Sequence, residues 1–485
     1  MNGSTEDHSA TVSRWPKRER TKPAEGVRAR WAWAEPKVWT DRMLTALEQG
    51  VKGGKWHALI DRIYSTANLD AAFAKVAANR GAAGVDHVTT EAFDRRREAN
   101  LTKLQGQLRD GSFRPQAVRR VWIPKPGSRE KRPLGIPTVR DRTVQAAIRQ
   151  VIEPIFEREF AEQSYGFRPG RGCKDALRRV DALLKQGFTW VVDADLKSYF
   201  DTIPHDKLMQ RLRGKISDSR TLKLIEQFLA ADVLDGMKHW SPATGAPQGA
   251  VLSPLLSNVY LDPLDHLVAE RGFQMVRYAD DFVILCRSRE EAEQALALVQ
   301  AWVNEAGLTL HPQKTRVVNT LETSFDFLGY KFLKHRRFPR KKSLAKFKDA
   351  IRAKTPRTSG HSLSWIIAQI NPTLRGWFEY FKHSHPNTFR PLDGWVRMRL
   401  RSILRKRRGR QGRGRGKDHQ RWPNDFFARQ GLFSLETAFA LAVQPSRRQN
   451  HRPESRMRES RTSGSEGREP GNSTRLPYPY RGYVS

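Results

Sequence analysis

Two adjacent acidic residues, Asp280 and Asp281, interrupt a run of apolar and β-branched residues in VRYADDFVIL, residues 276–285. Burying two like charges side by side is unfavourable, because each carboxylate disfavours ionisation of the other. The apolar segments on both sides favour strands, so we predict the pair at the tip of a tight hairpin, where both carboxylates project beyond the sheet. Asp is common in turns, so the pair indicates a functional site only if further acidic residues lie nearby.

A third carboxylate, Asp195, ends another apolar strand in FTWVVDADLKSYFD, residues 188–201. Asp193 and Asp195 alternate with apolar residues, so both acids are predicted on the same face of this strand. If this strand lies antiparallel to the hairpin, three carboxylates meet, and divalent cations make such a cluster tolerable. Hard oxygen ligands favour Mg²⁺ or Mn²⁺ over zinc. Two such ions about 4 Å apart form the arrangement used for in-line phosphoryl transfer.

The wider pattern mixes strands and helices irregularly. RRVWIPKPGSREKRPLGIP, residues 119–137, predicts a basic hairpin, and FDFLGYKF, residues 325–332, predicts a strand. Helices are predicted over residues 140–160 and 288–307, from apolar residues at helical spacing. Because strands and helices do not alternate regularly, the sequence predicts an α+β fold and not a doubly wound parallel sheet.

The chain has 485 residues and a formal net charge of +36 at pH 7. This surplus indicates a polyanionic partner, with nucleic acid first and an anionic membrane surface second. No segment is long and apolar enough to cross a bilayer, and the N-terminus lacks a secretory signal, so we reject the membrane alternative. Cys173 and Cys286 form no paired pattern, which excludes a disulfide framework and fits a reducing cytosol.

Composition divides the chain into four predicted regions. Residues 1–50 form a basic segment predicted to be mostly disordered, although VRARWAWAEPKVW, residues 27–39, could dock onto RNA or onto the protein body. Residues 51–335 have globular patterning, and residues 336–440 combine basic helices with a basic extension. Residues 441–485 have few apolar residues and are predicted to form a disordered basic tail.

Seven short motifs carry a resemblance to a known family: RPLGIPTVRDR (132–142), SYGFRPGRG (164–172), DLKSYF (195–200), GAPQGAVLSPLLSNVYL (245–261), YADD (278–281), HPQKT (311–315) and FDFLGY (325–330). In this order they resemble the reverse transcriptases encoded by bacterial group II introns, from about residue 56 to 335. LRGWFEYF, residues 374–381, is similar to that family's maturase, or thumb, domain. The resemblance implies a right-handed polymerase, with fingers and an antiparallel palm sheet in residues 51–335 and a helical thumb in residues 336–440.

The resemblance also implies a metal site. Asp195, Asp280 and Asp281 would hold two Mg²⁺ ions, with Mn²⁺ as a possible substitute, and Leu196 would contact both metal and nucleotide. Lys314 would donate a proton to the leaving pyrophosphate, although a simple electrostatic role is an alternative.

A second set of residues would bind the nucleotide and the primer in the family's pattern. Lys125 and Arg132 would neutralise the triphosphate, unless they belong to a general RNA-contacting face. Phe200 would exclude a 2′-hydroxyl, the alternative being an ordinary core aromatic. Gln248 and Gly249 would let the backbone approach the nucleotide closely. Tyr278 would pack beside the primer end.

The implied partners are an intron RNA template, a DNA primer or target DNA, and deoxynucleoside triphosphates, in the bacterial cytosol or nucleoid. Residues 397–421 hold twelve Lys or Arg against one Asp and are expected to contact RNA phosphates. No HNH endonuclease is expected, because no cysteine follows Cys286, and no sequence feature sets the oligomeric state. Two alternatives are an RNA-binding splicing cofactor without significant polymerase activity, and a retron or defence-type reverse transcriptase. The intact carboxylates argue against the first, and the helices after residue 340 argue against the second.

Overall fold

The computed structural model describes residues 26–124 and 131–448. Thirteen helices lie in the first part of the described chain: α1 Val27–Arg30, α2 Asp41–Gln49, α3 Ile60–Ile63, α4 Thr66–Ala78, α5 Thr90–Asp94, α6 Arg97–Asp110, α7 Val139–Glu157, α8 Cys173–Lys185, α9 Tyr199–Thr202, α10 His205–Lys215, α11 Ser219–Leu229, α12 Ser253–Glu270 and α13 Arg289–Glu305. Six more follow: α14 Lys341–Lys354, α15 Leu363–Phe381, α16 Phe389–Arg407, α17 Lys417–Arg421, α18 Asn424–Arg429 and α19 Leu435–Arg448. No helix in these residues is long and apolar enough to cross a membrane.

The described strands form three separate sheets. They are β1 Val118–Pro124, β2 Lys131–Ile136, β3 Trp190–Asp195, β4 Val233–Asp235, β5 Lys238–Trp240, β6 Gln274–Tyr278, β7 Asp281–Cys286, β8 Arg316–Asn319, β9 Phe325–Phe327, β10 Tyr330–Leu333 and β11 Arg336–Pro339. The sheets have the strand orders β2-β1-β4-β5, β6-β7-β3-β8 and β11-β10-β9. The α+β prediction is therefore confirmed.

The central sheet, β6-β7-β3-β8, is antiparallel throughout. Strand β7 is covered on both faces, which explains its unbroken apolar sequence. Phe282 and Ile284 belong to one core, which includes residues of α12 and α13. Val283 and Leu285 belong to a second core, which includes residues of α8. Since both faces are occupied, the polar residues of this sheet collect at its ends and edges.

The predicted basic hairpin is present as β1 and β2, paired antiparallel from Arg119 opposite Ile136 to Pro124 opposite Lys131. β1 also pairs with β4 in parallel, so the hairpin is part of a larger sheet. The tip of the hairpin, including Lys125, lies outside the described residues.

Residues 26–50 correct the prediction of a mostly disordered N-terminal segment. They form α1 and α2, and Trp39 is completely buried. The indole nitrogen of Trp39 donates to the carbonyl of Gln150 at 3.0 Å, and its ring lies 5.3 Å from that of Trp56. The segment thus docks onto the protein body, one of the two options for its Trp-rich stretch. The sequence shows no sustained apolar period here, because both helices are short and Trp39 is buried by contacts with distant residues.

FDFLGYKF forms two strands, so the prediction of a single strand is wrong. β9 and β10 pair with Phe327 opposite Tyr330, and the two residues between them form the turn. Leu328 and Gly329 both have positive φ, 47° and 81°, as a two-residue hairpin turn requires. The Leu-Gly pair was the available signal for this turn.

Helices α14, α15, α16, α18 and α19 share a separate apolar core, which includes Ile370, Leu374 and Phe378. Most aromatic residues of LRGWFEYF contribute to buried packing, whereas Trp365 is 44% exposed. Helix α19 continues to Arg448, eight residues beyond the predicted boundary at residue 440. The rest of the predicted tail, residues 449–485, lies outside the described residues.

Candidate active site

The end of β3 meets the start of β7 in register. The two strands are antiparallel, with Asp195 directly opposite Asp281. Residues facing each other in this way have Cα atoms about 4.5–5.5 Å apart. Asp280 precedes Asp281 in the turn between β6 and β7. The structure therefore brings together carboxylates from two distant stretches, as their sequence context predicts.

The turn that carries Asp280 is sterically demanding. Tyr278 pairs with Asp281, so Ala279 and Asp280 alone connect the strands, and Ala279 has a φ of 59°. Positive φ in a residue other than Gly costs on the order of 1–3 kcal/mol and is frequent at functional sites. Gly166, from SYGFRPGRG, packs against this turn, because a Cβ at this position would lie 2.2 Å from the amide nitrogen of Ala279.

Arg277, a buried arginine that was not predicted as a site residue, hydrogen-bonds to the backbone of the β6–β7 turn. Arg277 is fully buried and pairs with the equally buried Asp265 of α12, with Nε 2.7 Å from Oδ1. Its guanidinium also donates to the carbonyl of Ala279 and to the side chain of Asn258, both at 2.9 Å. Asn258 in turn donates to the carbonyl of Gly166 at 2.8 Å. The available signal was a charged residue inside an apolar strand, opposite an acid in an apolar helix.

The carboxylates of the site perturb one another. Burial, and then repulsion from Asp280, Asp193 and Asp195, raises the pKa of Asp281 to about 8. Burial also raises the pKa of Asp280, with repulsion from Asp195 adding to the effect and the guanidinium of Arg132 opposing it. Burial raises the pKa of Asp193 to about 6, although Arg316 pairs with it at 3.2 Å. These acids therefore cannot all be ionised at pH 7 without added positive charge.

This donor set fits divalent cations, because it consists of clustered carboxylate oxygens that lack sufficient counter-charge. Among residues 26–124 and 131–448, no three His, Cys, Asp or Glu side chains are already arranged as ligands of one ion. The ammonium group of Lys314 contacts Asp195 directly. The acids thus lie together at one end of the sheet, and Lys314 forms an ion pair with Asp195.

The loop that carries Lys314 is fixed to the end of β3 by backbone hydrogen bonds. His311 donates to the carbonyl of Asp195 at 2.7 Å, and Lys197 donates to the carbonyl of Thr309 at 2.8 Å. Leu196 lies between Asp195 and Lys197, and its side chain is buried. Its carbonyl accepts neither of these two hydrogen bonds. The structure therefore keeps Lys314 and Leu196 beside the carboxylates.

The residues predicted to bind the nucleotide lie on the β1–β2 hairpin and in the GAPQG segment, residues 245–249. Arg132 lies on β2, and its charge acts on Asp280. Gly135, three residues along β2, donates to the carbonyl of Gln248 at 2.7 Å. Gly249 has a φ of 108°, and a Cβ there would lie 2.5 Å from the carbonyl oxygen of Gly135. Only glycine allows this close contact between the two segments.

Phe200 and Tyr278 complete the predicted set. Phe200 is half-buried, and its carbonyl accepts from Ala246 at 2.7 Å, which ties it to the GAPQG segment. Tyr278 is also half-buried, and its side chain hydrogen-bonds to Cys173, at the start of α8. Both aromatic residues thus have partly accessible surface beside the carboxylates.

An antiparallel sheet with paired acids at a hairpin tip, beside a basic hairpin, agrees with the polymerase palm that the sequence motifs led us to expect. Residues 123–332 match the family model for reverse transcriptase (RNA-dependent DNA polymerase). Residues 344–422 match the model for the group II intron maturase-specific domain.

Individual relatives agree with these matches. The chain is 32% identical over 349 residues to Protein YkfC of Escherichia coli (strain K12), covering 64% of this chain and 87% of YkfC. It is 39% identical over 201 residues to the group II intron-encoded protein LtrA of Lactococcus lactis subsp. cremoris, covering 41% of this chain and 33% of LtrA. A chain in the solved structure "Partial Cas6-RT-Cas1--Cas2 complex" is 26% identical, with a TM-score of 0.34, over 51% of this chain and 43% of that chain.

The chain belongs to the group II intron-encoded reverse transcriptases. Its family activity is RNA-directed DNA polymerisation, which depends on divalent cations, combined with a maturase part. The right-handed polymerase fold expected from the sequence is thereby confirmed. The roles of individual site residues remain predictions.

Proposed function

We propose that the chain copies intron RNA into DNA at the site formed by Asp195, Asp280 and Asp281, which would bind two Mg²⁺ ions, or Mn²⁺ in their place. The observation that carries this assignment is the pairing of Asp195 with Asp281, with Asp280 next to it in the turn. The raised pKa values of Asp280 and Asp281 support it, because a cluster that repels itself in the absence of metal gains most from cations.

Bound at these oxygens, the two ions would lower the pKa of the primer 3′-hydroxyl and neutralise the reacting phosphates. The protein residues position the other groups. Arg132, with Lys125 near it in the sequence, would hold the triphosphate. Lys314 would leave Asp195 and donate a proton to the departing pyrophosphate. Leu196 would contact the metal and the nucleotide beside Asp195.

The nucleotide itself would lie against the GAPQG segment. Gly249 and Gln248 would let the backbone contact it, and Phe200 would block a ribonucleotide's 2′-hydroxyl. Tyr278 would contact the primer end. The half-burial of Phe200 and its bond to Ala246 support this orientation, because a fully buried core aromatic could not touch a substrate.

The basic helices after residue 340 would bind the intron RNA, assist its splicing and support its retrohoming into DNA. Their match to a maturase-specific domain over residues 344–422 supports this role. Residues 397–421, which form the end of α16, a glycine-rich connection and α17, would contact RNA phosphates. In this proposal the protein works in the bacterial cytosol, near the nucleoid.

The decisive experiment is primer extension with an RNA template, an annealed DNA primer, deoxynucleotides and Mg²⁺. We expect extension by the wild-type protein, and a loss of at least a thousandfold in Asp280→Asn and Asp281→Asn. Asp349→Asn, an exposed acid on α14, is the matched control and should retain full activity. Equal extension by all variants would refute the site assignment.

A splicing assay separates the maturase role from polymerisation. The RNA transcribed from DNA flanking the gene would be incubated with wild-type protein and with Asp281→Asn. Splicing by both, with no extension by the wild type, would support the alternative of an RNA-binding cofactor. Extension without any effect on splicing would refute the maturase role and leave the polymerase role standing.

A further inference from the structure

Cys173 lies at the start of α8, between two tyrosines from distant parts of the sequence. Its thiol hydrogen-bonds to Tyr278, the last residue of β6, and to Tyr380, near the end of α15. Cys173 and Tyr278 lie within the reverse transcriptase match, whereas Tyr380 lies within the maturase-specific match. The thiol therefore joins a helix of the maturase part to the strand that enters the β6–β7 turn.

The available protons fix the direction of each hydrogen bond in this group. The hydroxyl of Tyr380 donates its one proton to the carbonyl of Leu328 at 2.7 Å, so it can only accept from Cys173. Burial raises the pKa of the Cys173 thiol, which keeps its proton at pH 7 and donates it to Tyr380. The sulfur must then accept from the hydroxyl of Tyr278. Tyr278, Cys173, Tyr380 and Leu328 thus form one continuous series of hydrogen bonds, the "thiol network".

The far end of the thiol network is anchored at the β9–β10 turn. Leu328 is the first of the two turn residues, and the carbonyl of the second, Gly329, accepts from the amide of Arg340 at 2.9 Å and from the hydroxyl of Ser343 at 3.0 Å. Ser343 belongs to α14, so the turn is attached to both α14 and α15. Because successive hydrogen bonds polarise one another, the network holds its free end more firmly than a single bond would.

The other end of the thiol network is a residue whose orientation matters for the site. Tyr278 is half-buried and directly precedes Ala279, the residue of the β6–β7 turn with a φ of 59°. Its ring packs against the core that includes residues of α8, and its hydroxyl bonds to Cys173. Fixing both the ring and the hydroxyl restricts this side chain to one orientation beside Asp280 and Asp281.

We propose that Cys173 and Tyr380 are positioning residues that fix Tyr278 at the primer end, so that helix α15 of the maturase part helps to align the primer 3′-hydroxyl. The inference rests on the proposed function, which assigns Tyr278 to the primer end. Neither Cys173 nor Tyr380 touches the reacting atoms in this role. Their effect passes through Tyr278, and a displacement of about 1 Å at a reacting group can lower a rate about a hundredfold.

Single-turnover primer extension by the full chain tests the proposal. Its amplitude reports the fraction of folded, active protein, whereas its rate constant reports the alignment of the primer end. We expect Cys173→Ala, Tyr380→Phe and Tyr278→Phe each to lower the rate constant about tenfold, because each breaks the thiol network. Cys173→Ser keeps both a donor and an acceptor, so it should stay within about threefold of the wild type. Affinity for the primer–template duplex should change less than about twofold, since phosphate contacts elsewhere provide most of it.

A double variant and a matched control separate the thiol network from general loosening of α15. Cys173→Ala/Tyr380→Phe should be no slower than the slower single variant, because both changes interrupt the same network. Tyr330→Phe is the control: the Tyr330 hydroxyl donates to the carbonyl of Tyr380 at 2.5 Å, so this variant removes a bond to the same helix outside the network. It should keep the wild-type rate constant. Urea midpoints verify that each variant folds.

Wild-type rate constants in both Cys173→Ala and Tyr380→Phe would overturn the proposal. An equal loss of rate in Tyr330→Phe would also overturn it and would assign the effect to loosening of α15. A primer with 2-aminopurine at its 3′-end provides a readout without catalysis: its fluorescence in the bound duplex should change in both network variants and keep the wild-type value in Cys173→Ser. If that pattern appeared while the wild type failed to extend primers, the polymerase assignment would be refuted and the positioning role would stand.

Discussion

Arg277 and Asp265 form an ion pair beside the β6–β7 turn in which both side chains are completely buried. The same guanidinium donates to the carbonyl of Ala279, one residue before Asp280. Desolvating two charges is unfavourable, and the pair is tolerated because further hydrogen bonds satisfy the guanidinium. Arg277 therefore links the backbone of the turn to helix α12. This link restricts the movement of Asp280 and Asp281.

Breaking this pair should destabilise the protein far more than breaking an exposed one. Arg277→Met leaves Asp265 buried without a counter-charge, and we expect a loss of about 3–5 kcal/mol in the free energy of unfolding. The double variant Arg277→Met/Asp265→Leu should recover much of that stability, because no unpaired charge remains. Its primer extension should still be at least tenfold slower, since Ala279 has lost its donor. Urea unfolding and single-turnover extension measure the two effects.

The matched control is Arg289→Met, which breaks an exposed helix pair with Glu293 and should change stability by about 1 kcal/mol or less. If the double variant extended primers at the wild-type rate, Arg277 would be structural only and would not position the turn.

The β6–β7 turn was predictable because the residues that specify it are adjacent in the sequence. Two acids between apolar strands permit few placements, and the alternation in β3 fixed which face Asp195 occupies. Arg277 was not predictable in the same way. In a chain with a charge of +36, one more arginine carries little signal, and its meaning depends on Asp265 twelve residues earlier.

Helices α1 and α2 were not predicted, for a related reason. Trp39 is buried against a helix 111 residues away, so its environment cannot be read from residues 26–50 alone. Apolar periodicity identifies a helix that buries one regular face over several turns. Helix α1 buries no residue, and α2, which buries Leu44 and Leu47, is only nine residues long. Tertiary contacts therefore decide the structure of this segment.

Asp281 should make the metal-free protein less stable as the pH rises. Its folded-state pKa of about 8 is far above the unfolded value of about 3.9, so the folded state binds more protons between these limits. Stability therefore falls from about pH 4 to about pH 8 and then levels off. Asp281→Asn removes this contribution, and at pH 8 in EDTA we expect it to be more stable than the wild type by a few kcal/mol. The difference should vanish near pH 4; an equal difference at both pH values would contradict the assigned cause.

Magnesium should reduce that difference in stability. A cation that binds only the folded state stabilises it by about 2.7 kcal/mol at a hundredfold excess over its dissociation constant. We expect Mg²⁺ at pH 8 to raise the melting temperature of the wild type, and to have little effect on Asp281→Asn. Ca²⁺, which also prefers oxygen ligands, tests for simple charge neutralisation. A wild-type melting temperature that Mg²⁺ leaves unchanged would argue against a metal site at these acids.

Phe200 should control sugar selection. Phe200 is partly buried, and its backbone carbonyl bonds to the GAPQG segment, where the nucleotide is proposed to lie. Phe200→Val opens space for a 2′-hydroxyl, so the ratio of kcat/KM for deoxynucleotides to that for ribonucleotides should fall at least tenfold. Phe200→Tyr, which keeps the ring, should retain most of the discrimination. An unchanged ratio in the valine variant would assign Phe200 to the core.

Gly249 should tolerate no side chain, because its backbone has a φ of 108° and a Cβ would lie 2.5 Å from the carbonyl oxygen of Gly135. Gly249→Ala must therefore separate the GAPQG segment from β2, the strand that carries Arg132. We expect a loss of stability above 1 kcal/mol and a KM for deoxynucleotides at least tenfold higher. Gly106→Ala is the matched control: it lies inside α6 with no atom within 4 Å of its added methyl, and should stabilise the protein by about 0.5–1 kcal/mol. Steady-state primer extension and urea unfolding of both variants provide the measurement. A Gly249→Ala protein with a wild-type KM would show that the contact with β2 does not position the nucleotide.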